Sequence, residues 1–201
     1  FRRVLFRSNM RISNISRKTK ETDIKIELNL DGSGKTEADT GIGFLDHMLT
    51  LFGFHGSFDI NVKCNGDLNV DSHHTAEDIG ILLGKAFSEA MGDKIGIERY
   101  GSILLPMDET LVRAAVDISG RPYLVYNPQL KRELLGNMAT EDFKEFFKGF
   151  VNSSLITLHL EVLYGENDHH KIEAIFKGFG RALKTASRIT SRDLQSTKGV
   201  L

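Results

Sequence analysis

Two stretches of this chain carry histidine and carboxylate at helical spacing. The first is Asp71-Ser72-His73-His74-Thr75-Ala76-Glu77-Asp78, and the second is Asn167-Asp168-His169-His170-Lys171-Ile172-Glu173-Ala174. Each reads His-His-x-x-Glu, follows a helix-capping residue and leads into an apolar run of helical period. Together they hold four of the seven histidines. Imidazole and carboxylate donors without thiolate suit a divalent Mn, Fe, Zn or Co ion. On a helix, residues four apart share a face and adjacent residues lie about 100° apart. His73 and Glu77 stand at i and i+4, His74 and Glu77 at i and i+3, and the two histidines diverge. The same holds for His169, His170 and Glu173. Two ions, one on either side of each pair, is the arrangement this spacing predicts. A single such motif would read as an ordinary helix start. Two copies at equivalent places argue for metal binding.

The elements that must position these residues repeat. Strands are expected at Ile12 to Lys18, Ile24 to Leu30, Lys35 to Ala38 and Phe58 to Cys64, the second and fourth by clear alternation. Gly41-Ile42-Gly43 opens a helix with Phe44, Leu45, Met48, Leu49, Leu51 and Phe52 on one face and His47 beside it. A second helix runs from His73 to about Met91, capped by Ser72 or Asp71. The second half gives strands at Ser102 to Leu105, Leu111 to Ile118, Tyr123 to Tyr126 and Ile156 to Val162, and helices at 141–152 and 169–188. The order is β-β-β-α-β-α, twice. Glu21-Thr22 and Gly32 match Glu109-Thr110 and Gly120 at an offset of 88, and the two motifs match at 96. The difference of eight points to an insertion in the Gln129 to Ala139 loop. The fold class is α+β: an internally duplicated unit with two mixed sheets and the helices packed between them. Its halves, 10–95 and 96–190, form one domain with a tail at 191–201. The Arg-rich residues 1–9 match nothing later and read as a leader ahead of Met10, with a transit-peptide fragment as the alternative.

Composition narrows the function classes. With 26 basic and 27 acidic residues the net charge is −1, which calls for no nucleic-acid or membrane-surface partner. Cys64 is the single cysteine, so no internal disulfide or cysteine-rich zinc site can form, and a reducing, cytoplasmic setting fits. No apolar run approaches the ~20 residues of a membrane span. Glu21 and Glu109 are repeated acids at strand starts, and an acid–base role is open to either. Read alone, His47 is a core or interface histidine, His159 an ordinary strand residue and His55 ambiguous. Arg99, Arg121, Lys177 and the tail Ser196-Thr197-Lys198-Gly199 are scattered cations and a small polar loop. Gly41-Ile42-Gly43 lacks the Lys-Ser/Thr end of a P-loop.

The runs Gly41-Ile42-Gly43-Phe44-Leu45-Asp46-His47-Met48, Asp71 to Gly80, Pro106-Met107-Asp108-Glu109, Gly165-Glu166-Asn167-Asp168-His169-His170 and Ser196-Thr197-Lys198-Gly199 resemble the signatures of the imidazoleglycerol-phosphate dehydratase family. The resemblance covers about Met10 to Leu201. It implies a hydro-lyase of histidine biosynthesis that converts D-erythro-imidazole-glycerol 3-phosphate to imidazole acetol phosphate. It implies two Mn2+ per subunit, a 24-mer and active sites at subunit interfaces. Carried over by position, the metal ligands would be His47, His73, His74, Glu77, Glu145, His169, His170 and Glu173. Some members carry His at the place of Glu145, which the spacing argument does not single out. Glu21, His73, Glu77 and Glu173 would be catalytic. Glu21, His47, Leu51, Arg99, Arg121, Lys177, Ser196 and Lys198 would contact substrate, the cations chiefly its phosphate. Some members have Gln where this chain has Leu51. The C–H to be broken has no neighbouring carbonyl, so the metal-held imidazole ring, as imidazolate, is expected to serve as electron reservoir while Glu21 or a water moves protons. The competing readings from the residues alone are a metal-bridged structural or storage assembly and a dinuclear metal hydrolase.

Overall fold

Alternating apolar residues set the strands. The computed structural model describes residues 10–201, and the leader assigned to 1–9 lies outside the described residues. The elements run β1 (Ile12–Lys18), β2 (Thr22–Asn29), β3 (Thr36–Asp39), α1 (Gly43–Gly56), β4 (Asp59–Gly66) and α2 (His73–Met91). They continue with β5 (Tyr100–Met107), β6 (Thr110–Asp117), β7 (Tyr123–Asn127), β8 (Leu134–Leu135), β9 (Met138–Ala139), α3 (Asp142–Ser154), β10 (Thr157–Tyr164) and α4 (Asp168–Ser187). Ile24, Ile26 and Leu28 of β2 face inward, while Asp23, Lys25 and Glu27 stay at the surface.

The two sheets have the same topology. One is ordered β1-β2-β4-β3 and the other β5-β6-β10-β7, each with its last strand parallel and the rest antiparallel. The register refines the sequence alignment of the halves. Thr36 faces Ile60 where Leu124 faces Leu158, so the offset is 88 at β3 and β7 but 98 at β4 and β10. The inserted loop between β7 and α3 is therefore ten residues, not eight, and it carries a small β8–β9 hairpin where the sequence predicts only loop. A one-residue bulge at Leu163 and a turn three residues shorter before α4 bring the offset to the 96 of the two motifs. Equivalent left-handed residues, Ser57 and Leu155, end the short helices α1 and α3.

All four helices lie between the sheets, and each long helix packs along the short helix of the other half: α2 on α3, and α1 on α4. Phenylalanines fill the middle layer. Phe52 stacks on Phe179 at 4.9 Å between ring centroids, and Phe150 meets Phe179 edge-on at 5.2 Å. Backbone approach fixes the helix spacing. A Cβ on Gly84 of α2 would fall 2.4 Å from the Phe150 carbonyl oxygen, and one on Gly180 of α4 would fall 2.6 Å from that of Phe52. Gly84 matches Gly180, and Phe52 matches Phe150, so the same contact recurs in both crossings.

Gly84→Ala and Gly180→Ala should each destabilise the fold by ~1–3 kcal/mol, because the added methyl meets backbone that cannot rotate away. Chemical denaturation would measure this, and an unchanged midpoint in both variants would contradict the close-approach account.

Candidate active site

The first turn of each long helix is held from just upstream. Asn167 Oδ1 accepts from the backbone N–H of His169 at 2.9 Å and of His170 at 3.3 Å. In the first half the cap is Asp71, whose Oδ1 accepts from His73 N–H at 2.9 Å. Ser72, the other candidate cap, turns inward and its hydroxyl donates to the buried Asp142 of α3. Adjacent rings diverge as the helical geometry requires. The His73 and His74 centroids are 6.0 Å apart with planes at 90°, and those of His169 and His170 are 6.3 Å apart at 84°.

Carboxylates face Nδ1 on three of these four rings. Asp142 Oδ1 is 3.3 Å from His73 Nδ1, Asp67 Oδ2 is 2.9 Å from His74 Nδ1, and Glu109 Oε2 is 2.8 Å from His170 Nδ1. For His74 and His170, whose Nδ1 atoms are hydrogen-bonded, an ionised carboxylate can only accept, which places the proton on Nδ1 and leaves the Nε2 lone pair available; Asp142 stands at ion-pair distance from His73 Nδ1. Histidines that ligate metals are held this way. The fourth ring, His169, has Nε2 3.0 Å from Glu173 Oε2 and packs edge-on against Phe44.

The helix pairing gathers donors from both halves. His47 on α1 brings its Nε2 to 3.7 Å from Glu173 Oε2. His47, His169 and Glu173 each offer a ligand atom within 4.8 Å of the others, the one such group among the described residues. Two imidazoles and a carboxylate at this separation fit a divalent transition metal, with positions to spare. Burial pushes the Glu173 carboxyl upward, but the Lys177 ammonium at 2.6 Å, with His169, holds it below the usual carboxylate range. On the other helix pair, His73 Nε2 lies 4.0 Å from Glu77 Oε2. Glu145 occupies on α3 the place that His47 occupies on α1, and its Oε2 is paired with Lys148 at 3.0 Å. Glu145, and with it Glu77, raises the Lys148 ammonium.

The two repeated acids differ. Glu109 Oε1 accepts from the backbone N–H groups of Glu166 at 3.2 Å and Asn167 at 2.8 Å, while Oε2 takes His170. The Asn167 amide, together with His170, drives its carboxyl far below the ordinary range. The longer turn of the first half supplies Asp67 to hold His74, so Glu21 is spared that task. Its Oε1 lies 4.0 Å from His74 Nε2, and its side chain is 54% exposed. The structure thus separates two acids that their matching places at strand starts left equivalent.

The expected substrate contacts do not all meet within one chain. Leu51 stands one turn beyond His47 on α1, and Lys177 lies beside Glu173. Arg99 and Arg121 sit elsewhere, around Asp117. Arg99 Nε donates to Asp117 Oδ1 at 2.8 Å, its Nη2 to Oδ2 at 3.3 Å, and its Nη1 to the Gln195 carbonyl at 2.7 Å. The Arg99 backbone N–H bonds Ala186 O at the far end of α4, about 25 Å along the helix from His169. The tail carrying Ser196 and Lys198 follows Gln195 and so lies at that far end. Sequence reasoning missed Asp67, Asp117 and Asp142. They were legible only as a turn residue, a strand-end acid and a helix-start acid, since what they hold is distant in sequence. His159 is exposed, as its strand phase predicts.

Comparison with known proteins converges on one family. The family model described as imidazoleglycerol-phosphate dehydratase matches residues 40–183. The chain is 61% identical over 192 residues to the imidazoleglycerol-phosphate dehydratase of Clostridioides difficile (strain 630), covering 96% of this chain and 100% of that protein. Its fold is similar to the crystal structure of the Staphylococcus aureus N315 enzyme of that name, with TM-score 0.80, 43% identity, and 90% of this chain and 99% of that one covered. It is similar also to the Pyrococcus furiosus protein solved in complex with (S)-C348, with TM-score 0.81, 41% identity, and coverage of 93% and 100%.

The Glu109–His170 pair gives a pH signature. Glu109 is lowered by its hydrogen bonds to Asn167 and His170, so its contribution is present above the ordinary carboxylate value of 4.5 and is lost as pH falls further. His170 is raised by Glu109, so its contribution is present below the ordinary imidazole value of 6.5 and is lost as pH rises through the elevated folded value. In metal-free protein, the Tm difference between wild type and Glu109→Gln should be greatest between these two values and narrow on either side. A difference that does not vary with pH would contradict the pairing.

Proposed function

The chain belongs to the imidazoleglycerol-phosphate dehydratase family, hydro-lyases of histidine biosynthesis, and on that premise we propose how its residues serve the reaction. The substrate is D-erythro-imidazole-glycerol 3-phosphate and the product imidazole acetol phosphate. Two manganese ions serve each subunit, at sites that neighbouring copies complete. The observation that carries this reading is the division of donors: each long helix sends one imidazole toward a group drawn from both halves, while the next imidazole pairs through Nδ1 with a carboxylate of its own half.

His47, His169 and Glu173 would hold one ion, and His73, Glu77 and Glu145 another. His74 and His170, whose Nδ1 atoms are fixed by Asp67 and Glu109, would complete sites on adjoining copies. A divalent ion so placed would supply Lewis acidity toward the substrate's imidazole ring. Glu21 moves the proton at the substrate carbon, because among the described residues no backbone amide holds its carboxylate as the turn amides hold Glu109. His73, Glu77 and Glu173 act beside it as the groups that fix the reacting ring. Leu51 offers that ring an apolar wall where other members present Gln.

The phosphate end would be held by Arg99, Arg121, Lys177, Ser196 and Lys198. Asp117 and Gln195 leave Arg99 one N–H on each terminal nitrogen for an anion. The separation of Arg99 from His169 along α4 supports a site assembled from more than one subunit, in keeping with a 24-mer. The two halves, 10–95 and 96–190, then act as one domain with 191–201 as the substrate-binding tail. Among the described residues no helix is long and apolar enough to cross a membrane, and a cytoplasmic location belongs to the same reading.

Glu21→Gln should cut kcat by ~10²–10⁴-fold, the usual scale of general acid–base catalysis, while manganese bound per chain stays at the wild-type level. Unimpaired turnover would remove Glu21 from proton transfer.

A further inference from the structure

The duplicated halves do not build duplicate metal sites. Around His73, the buried Asp142 faces Nδ1 at 3.3 Å and is itself fixed by the Ser72 hydroxyl, which in turn accepts from Ala139 N–H at 3.2 Å. The residue equivalent to Asp142 in the first half is Phe44, whose ring meets His169 edge-on at 5.1 Å. The residue equivalent to Ser72 is Asp168, whose carboxylate is consumed elsewhere. It accepts from the backbone N–H groups of Lys131 and Arg132, both at 2.7 Å, and is paired with buried Lys171 at 2.9 Å. Among the described residues, His169 pairs with a carboxylate through Nε2 alone, and none faces its Nδ1 in place of Asp142. Lys177 adds a cation at 2.6 Å from Glu173, and its counterpart beside Glu77 is the apolar Ile81.

The charge balance follows from these pairings. The α2–α3 group sets Glu77, Glu145 and Asp142 against one ammonium, Lys148. The α1–α4 group sets Glu173 alone against Lys177. A carboxylate on the far ring nitrogen also makes the ligating nitrogen a better donor. Both effects favour a divalent cation at α2–α3.

We infer that Asp142 is a positioning residue for His73 and that the two metal positions are inequivalent, the α2–α3 position holding its ion more tightly than the α1–α4 position. This rests on the metal-dependent reading given above.

The test is titration of the chelator-stripped full chain with manganese chloride, following the signal of the free ion by electron paramagnetic resonance. Wild type should show two classes of site with Kd values at least about tenfold apart. Asp142→Asn, which keeps the shape of the side chain, should weaken the tighter class by ~10–100-fold and leave the weaker class unchanged. Glu77→Gln should abolish the tight class and Glu173→Gln the weak one. If Asp142→Asn does not fold, the Glu77→Gln and Glu173→Gln pair still decides which position is tighter. A single class of sites, equal weakening of both classes by Asp142→Asn, or loss of the tight class in Glu173→Gln would overturn the inference while leaving the metal-dependent reading standing. No uptake by wild type would overturn both.

Discussion

Gly84 against the Phe150 carbonyl, and Gly180 against that of Phe52, let each long helix lie on the backbone of a short helix from the other half. The candidate site depends on this approach. His47 reaches Glu173 because α1 packs on α4 and not on the long helix of its own half. Glu145 is delivered toward α2 in the same way. The His47–His169–Glu173 donor group draws on both halves, so the halves must be joined to assemble it, just as they must be joined to bury the phenylalanines between the sheets.

Small departures from the repeat then give equivalent residues different work. Three extra residues in the turn before α2 provide Asp67, which takes His74 and releases Glu21. The shorter turn before α4 instead aims two backbone amides at Glu109 and fixes it as a carboxylate. The same logic separates Asp142 from Phe44. One carboxylate is thus held for positioning and another is left exposed beside His74, which is how one fold can supply both structural and reactive acids.

Much of this was legible in the sequence because it rests on short-range pattern. The alternation in β2 and β4, the phenylalanine stripe of α3 and the helical spacing of each His-His-x-x-Glu are local properties, and the structure keeps them. The divergence of His73 from His74 followed from helical geometry alone. Interactions across long sequence separations were not legible. Nothing local says that α1 packs on α4, that Ser72 turns inward to Asp142, or that Arg99 holds the tail through Gln195. The eight-residue offset hid three compensating changes, and only strand register could separate them. Glu145 was found by resemblance. Its equivalence to His47 needed the corrected offset.

The central claim is that the cross-half donor groups hold metal and that His74 and His170 tie that metal to other copies. Metal content by elemental analysis, with molar mass by light scattering before and after chelation, tests both parts on one sample. The account predicts about two manganese per chain in a large particle that dissociates when the metal is removed and re-forms when it returns. A chain that takes up no manganese when it is supplied, with a mass unchanged by chelation, would contradict it.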